Sequence, residues 1–270
     1  GNASQQDIAF YFVHWFTDLA GAVPTPLGGS EKFVLGFPLK VLSSFLSSFS
    51  IVADLGNAQS ETTVSENYLR WRWETHKPPL GPPPSGVGAI ARMRLVVMAQ
   101  GNSKMVLDAF GRLDEADRRV LSEELARTGC DSQRYKTDGL ADTRGPAILI
   151  YYGPAFLQKA GLLDPLGAMQ ILAELLRQAR AMWPLKTTSS GVSVTLRIDT
   201  LKAETVEACR MPALDEVWVL EKVSERSASV SRVPLAEVRE RTDSRGAHSS
   251  EESMRCILNF SELRDSVLMT

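Results

Sequence analysis

The segment Lys77 to Ser85, KPPLGPPPS, constrains this chain more than any other stretch, because five of its nine residues are proline. Each proline removes a backbone N–H and holds φ at about −65°, so neither a helix interior nor a central strand can pass through it. The segment must run extended and semi-rigid, with polyproline II over part of its length, as a spacer or docking strap. It contains P-x-x-P in Pro79-Leu80-Gly81-Pro82, a preformed ridge of the kind that aromatic-lined grooves read.

Upstream of the strap the pattern is helical. The densest aromatic run is Ile8 to Gly21, IAFYFVHWFTDLAG. Ile8, Phe12, Trp15 and Leu19 lie on one helical stripe there, which predicts a mostly buried helix closed by Gly21. Val23 to Gly29 (VPTPLGG) breaks regular structure, and Pro38 opens an amphipathic helix with Leu39, Leu42, Phe45, Leu46 and Phe49 on one face. Ser60 followed by Glu61 suits the start of another, carrying Val64, Tyr68 and Trp71 and stopping before Pro78. Beyond the strap, Ser85 is placed to cap a helix through Ile90, Met93, Leu95, Val96 and Val97. Two more follow at Ser103 to Phe110 and Asp114 to Thr128.

Residues 131–144 turn polar and lose all periodicity, so the chain divides there into a helical region 1–130, a linker 131–144 and an α+β region 145–270. AILIYY at Ala147 to Tyr152 reads as a buried strand. Pro165 to Trp183 is the plainest helix, with Leu166, Met169, Leu172, Ala173, Leu176, Ala179 and Met182 in one stripe ended by Pro184. Val192 to Ile198 alternates as a half-exposed strand, Glu216 to Val223 and Ser227 to Val233 form a hairpin, a short helix starts at Pro234, and Arg255 to Phe260 is a last strand. The expected class is α+β, a helical N-terminal half followed by a mixed sheet with helices packed on it.

At 270 residues and 44% hydrophobic the chain can bury a substantial core. A net charge of −2 supplies no positive field for duplex nucleic acid. No apolar run reaches the length of a membrane span. The cysteines Cys130, Cys209 and Cys256 are odd in number and show no C-x-x-C pair, which points to free thiols in the cytoplasm or another reducing intracellular compartment.

Candidate chemistry is sparse. His14 and Asp18, four apart on one helix face, could hold a metal ion or form an acid–base pair. Phe16-Thr17-Asp18-Leu19-Ala20-Gly21 resembles the first metal-binding strand of class III nucleotidyl cyclases, and GPAILIYYG at Gly145 to Gly153 is similar to the hairpin that carries that family's second metal aspartate. The resemblance implies a magnesium-binding role for Asp18; Pro146 stands where the second aspartate belongs. Arg70-Trp71-Arg72-Trp73 sets guanidinium beside indole, but on a helix Trp71 and Trp73 point roughly 200° apart and make no single platform. No P-loop, dinucleotide fingerprint or serine elbow is present.

The sequence therefore reads as a non-enzymatic intracellular regulatory or scaffolding domain, soluble, without cofactor or assigned catalytic residue, and a subunit of a larger assembly. It binds a protein partner through Pro79, Pro82, Pro83, Pro84, Trp71 and Trp73. The alternative reading is a metal-dependent enzyme on a phosphate-containing, nucleotide-like substrate, centred on His14 and Asp18.

Overall fold

A computed structural model of the chain describes residues 59–99, 101–129, 134–138, 146–185, 193–238, 254–261 and 263, with single positions at 4, 6, 7, 10, 11, 13, 14, 51 and 54. The chain divides into two compact units, Gly1–Tyr68 and Leu69–Thr270. In the first unit the described positions between 6 and 14 are helical. The start is a reciprocal cap, in which Ser4 Oγ accepts from Asp7 N at 3.2 Å and the Asp7 carboxylate accepts from Ser4 N at 2.9 Å. The Ser4 hydroxyl, which donates to the Asp7 carboxylate at 2.7 Å, and then the Ser4 N–H hold that carboxyl below its ordinary range. Phe10 and Tyr11 are 74% and 63% exposed. On the described residues this helix therefore presents large apolar side chains outward, where a buried helix was expected. Ile8, Phe12, Trp15 and Leu19, the expected buried stripe, lie outside the described residues.

The boundary between the units falls within α1 (Glu61–Glu74). Ser60 starts that helix as expected, its hydroxyl accepting from Thr63 N at 3.2 Å. The second unit then runs α2 (Ala89–Ala99), α3 (Ser103–Arg112), α4 (Glu115–Leu125), β1 (Ala147–Tyr151), α5 (Gly153–Leu163), α6 (Pro165–Met182) and β2 (Ser193–Arg197). After β2 come a 3-10 turn (Leu201–Ala203), α7 (Val206–Arg210), β3 (Glu216–Ser224), β4 (Ser227–Pro234) and β5 (Arg255–Leu258). The five strands form one mixed sheet in the order β1-β2-β4-β3-β5. β1, β2 and β4 are parallel, with Tyr151 opposite Arg197, whereas β3 is antiparallel to β4 and β5. The fold is α+β, as the periodicities indicate.

Alternation along the strands sends Ile148, Val194, Leu196, Trp218, Leu220, Val230 and Leu258 into the core that α6 fills. Helix α6 is central: it packs on α3, α4 and α5 and also on β1, β3 and β5. Its N-terminus is set by Asp164, which accepts from Gly167 N at 2.8 Å, with Pro165 in the first turn. Beside it, Glu124 of α4 is buried and takes the Arg180 guanidinium at 2.6 Å and Arg127 at 3.3 Å. Arg180 also donates to the carbonyls of Trp183 and Pro146 at 2.9 and 2.8 Å, so one buried cluster ties α4, α6 and the entry to β1 together.

Two starts differ from the local expectation. Helix α2 is capped from far along the chain: the buried Asp138 carboxylate accepts from Gly88 N at 3.2 Å and Ile90 N at 3.0 Å, while Ser85 is exposed. Asp138 belongs to the polar stretch 131–144, of which the described part, 134–138, is docked on α2. Helix α5 begins straight after β1, at a Gly-Pro pair that reads as turn punctuation; Pro154 occupies its first turn, where the missing N–H costs nothing.

Candidate partner-binding strap and a cationic aromatic cluster

The proline segment leaves the end of α1 and reaches α2 under three restraints. Trp73 is buried, and its indole N–H donates to the Gly81 carbonyl at 3.0 Å. Gly81 has φ +87°, in the left-handed region, with nothing within 4 Å of where a Cβ would stand. Glycine is needed there for its backbone freedom and not for space. His76 provides the second restraint, its Nδ1 lying 2.7 Å from the Pro78 carbonyl and its Nε2 2.9 Å from Ser103 Oγ. A carbonyl only accepts, so Nδ1 carries the proton, and in the neutral ring Nε2 accepts from the Ser103 hydroxyl. At the far end Gly86 N donates to the Thr137 carbonyl at 3.0 Å.

Held this way, the strap turns Pro78, Pro79 and Pro82 outward, with Leu80, Pro83 and Pro84 half-buried. Trp71 is half-buried under the Arg72 guanidinium, 6.0 Å from its ring, and Trp73 is buried. The two indoles diverge as their spacing requires. Of the six residues expected at a partner surface, Pro79 and Pro82 are fully outward, Pro83, Pro84 and Trp71 partly so, and Trp73 acts from beneath as a clamp.

The His76 and Ser103 side chains stand at the distance of a general base and a nucleophile, a pairing across 27 residues that no local motif signals. Ser103 is 1% exposed, at the start of α3, and its Oγ also lies 3.3 Å from the Val96 carbonyl. A substrate cannot reach it, and the pair serves to pin the strap to the α2–α3 corner. Cys209 and Cys256 are free thiols whose burial pushes them up to about 12 and about 11, so both stay protonated at neutral pH.

A second constellation lies at the carboxyl ends of β1 and β2. Tyr151 and Tyr152 meet with ring centroids 4.4 Å apart, tilted by 58°. Arg197 lies 6.0 Å from the Tyr151 ring centroid and pairs side-on with Asp199 at 3.1 Å. Lys202 Nζ sits 3.5 Å from the centroid of the Tyr152 ring. Tyr152 has φ +70°, a left-handed conformation that costs a residue with a Cβ of order 1 kcal/mol. Behind it Gly153 lets α5 start close to its neighbours, since a Cβ there would lie 2.8 Å from Met98 Cε. Sequence reading missed this cluster because its members come from a strand end, a helix start and a 3-10 turn some fifty residues apart.

His14 is helical and exposed, and Asp18 lies outside the described residues. Among the described residues no group of three or more His, Cys, Asp and Glu side chains could hold a metal ion. The stretch 146–153 that resembles a cyclase metal hairpin is instead a strand running directly into α5, so its part of that resemblance is corrected. No described helix is long and apolar enough to cross a membrane. No family model matches the chain, and neither a curated protein nor a solved structure matches it.

Proposed function

We propose that this chain is a non-enzymatic protein-interaction domain, a regulatory or scaffolding module whose proline strap docks in the aromatic groove of a partner. One observation carries the reading: the strap is clamped from beneath by Trp73 and His76 while Pro78, Pro79 and Pro82 face outward. A segment fixed before binding loses little conformational entropy on docking; because Gly81 at φ +87° interrupts polyproline II between Pro79 and Pro82, the two rings are presented on either side of a turn and not on one continuous ridge. Trp71, half-buried beside Arg72 and about 200° around α1 from Trp73, offers a second surface with the residue types that dominate interface energetics.

The test is a titration of the intact chain against isolated SH3 and WW domains, which read PPII ridges through aromatic grooves. The expected result is saturable binding to at least one of them, lost when Pro79 and Pro82 are both replaced by alanine. No binding by any of them, or binding indifferent to the double substitution, refutes the proposal.

A further inference from the structure

We propose that the carboxyl ends of β1 and β2 form a second binding site, for the phosphate group of a small molecule, held by Arg197, Lys202 and the phenol of Tyr152, which Tyr151 orients. The topology brings these groups together. Tyr151 and Arg197 are opposite one another across the parallel pair β1–β2, and Lys202 follows immediately, its backbone N–H bonded to the Ile198 carbonyl at 2.9 Å. The 3-10 turn that carries Lys202 packs on α5, the helix that Tyr152 introduces. In open sheets with parallel strands, ligands bind outside the carboxyl ends of those strands.

The charges are arranged for an anion. Among the described residues the Lys202 ammonium makes no hydrogen bond or ion pair; its partner is the face of the Tyr152 ring at 3.5 Å, which leaves its N–H donors for a ligand. Asp199 engages Arg197 through Nε at 3.1 Å and Nη2 at 3.5 Å. Nη1 and the second Nη2 hydrogen remain, and Lys202 is the net positive charge of the group. The phenols add one neutral donor: Tyr151 is pushed up chiefly by its hydrogen bond to the Tyr152 hydroxyl, which uses the Tyr151 proton and leaves the Tyr152 O–H for a ligand.

Two cations and a phenolic hydroxyl brought together from β2, the 3-10 turn and the start of α5 suit a tetrahedral dianion, which accepts from several directions, better than a planar carboxylate, which accepts in one plane. The left-handed Tyr152 fits this assignment: the strained turn sets the aromatic pair against both cations at the point where the strand becomes a helix.

Inorganic phosphate is the probe, titrated into the intact chain at constant ionic strength while the Gly153 amide is followed by NMR. The expected result is a saturating shift whose apparent Kd rises about tenfold or more in Lys202→Ala and in Arg197→Gln, the loss expected for one charge-assisted hydrogen bond. Lys104→Ala, on the exposed side of α3, leaves the titration unchanged. Arg197 is exposed, so Arg197→Gln carries the test if Lys202→Ala disturbs the turn. A shift that never saturates, variants that titrate like the parent, or equal saturation by acetate overturns the proposal.

Discussion

Helix α6 and the proline strap belong to the same unit and are held by opposite means. Helix α6 is wrapped on several sides, burying Leu166, Met169, Ile171, Leu172, Leu175, Leu176, Ala179 and Met182, so nonpolar burial and close packing fix it. The strap has no regular secondary structure, and it is positioned by hydrogen bonds from Trp73 and His76 to its carbonyls and by the Gly86 N–H, just past its end, bonded to the Thr137 carbonyl. The contrast separates stability from presentation: removing part of α6 should cost the fold, while altering the strap's outward face should cost binding alone.

The largest effect belongs to the ion cluster that locks α6 to α4. Glu124→Ala leaves the buried Arg127 and the mostly buried Arg180 without their shared carboxylate, and stability should fall by about 3–5 kcal/mol in urea unfolding. Glu124→Gln, which retains an acceptor, should lose less. Should Glu124→Ala cost under about 1 kcal/mol, the cluster is dispensable and packing alone secures α6. Next comes Leu172→Ala, at a position 1% exposed, with an expected loss of about 2–5 kcal/mol according to how far the surrounding helices close on the cavity.

The elements written in nearest-neighbour terms were legible before any coordinates. The α6 stripe, the β3–β4 hairpin and the Ser60 start of α1, whose hydroxyl accepts from Thr63 N at 3.2 Å, each depend on residues a few positions apart. The mixed sheet followed from the order of those elements. What escaped was non-local or conformational. Asp138 caps α2 from fifty positions away, His76 finds Ser103 across a helix, and α5 hides behind Gly153-Pro154 because Tyr152 takes an αL conformation that its side chain does not advertise. The clamp under the strap was half legible: the divergence of Trp71 and Trp73 follows from helix geometry, but which indole would face inward depends on tertiary packing.

Trp73→Phe probes that clamp. It removes the indole donor to Gly81 while keeping an aromatic ring beneath the strap, and since Gly81 is exposed, water can satisfy the freed carbonyl. The expected stability loss is about 1 kcal/mol. Amide exchange at Gly81 and Gly86 should accelerate while exchange in α6 stays slow, because the strap loosens without the core opening. Uniform acceleration would show that strap and core unfold together.

The smallest effect on stability should come with the largest effect on binding. Pro79 and Pro82 are exposed, and neither is among the residues that anchor the strap through Trp73, His76 or Thr137. Replacing both with alanine should change the unfolding free energy measured in urea by less than about 0.5 kcal/mol, as surface substitutions do, with a slight loss from the freer unfolded chain. Affinity for a PPII-reading domain should nonetheless fall about tenfold or more, since the strap loses both its ring contacts and its rigidity. A double variant destabilised as much as Leu172→Ala would mean that the strap is part of the core's support, and the separation between holding the fold and presenting the prolines would collapse.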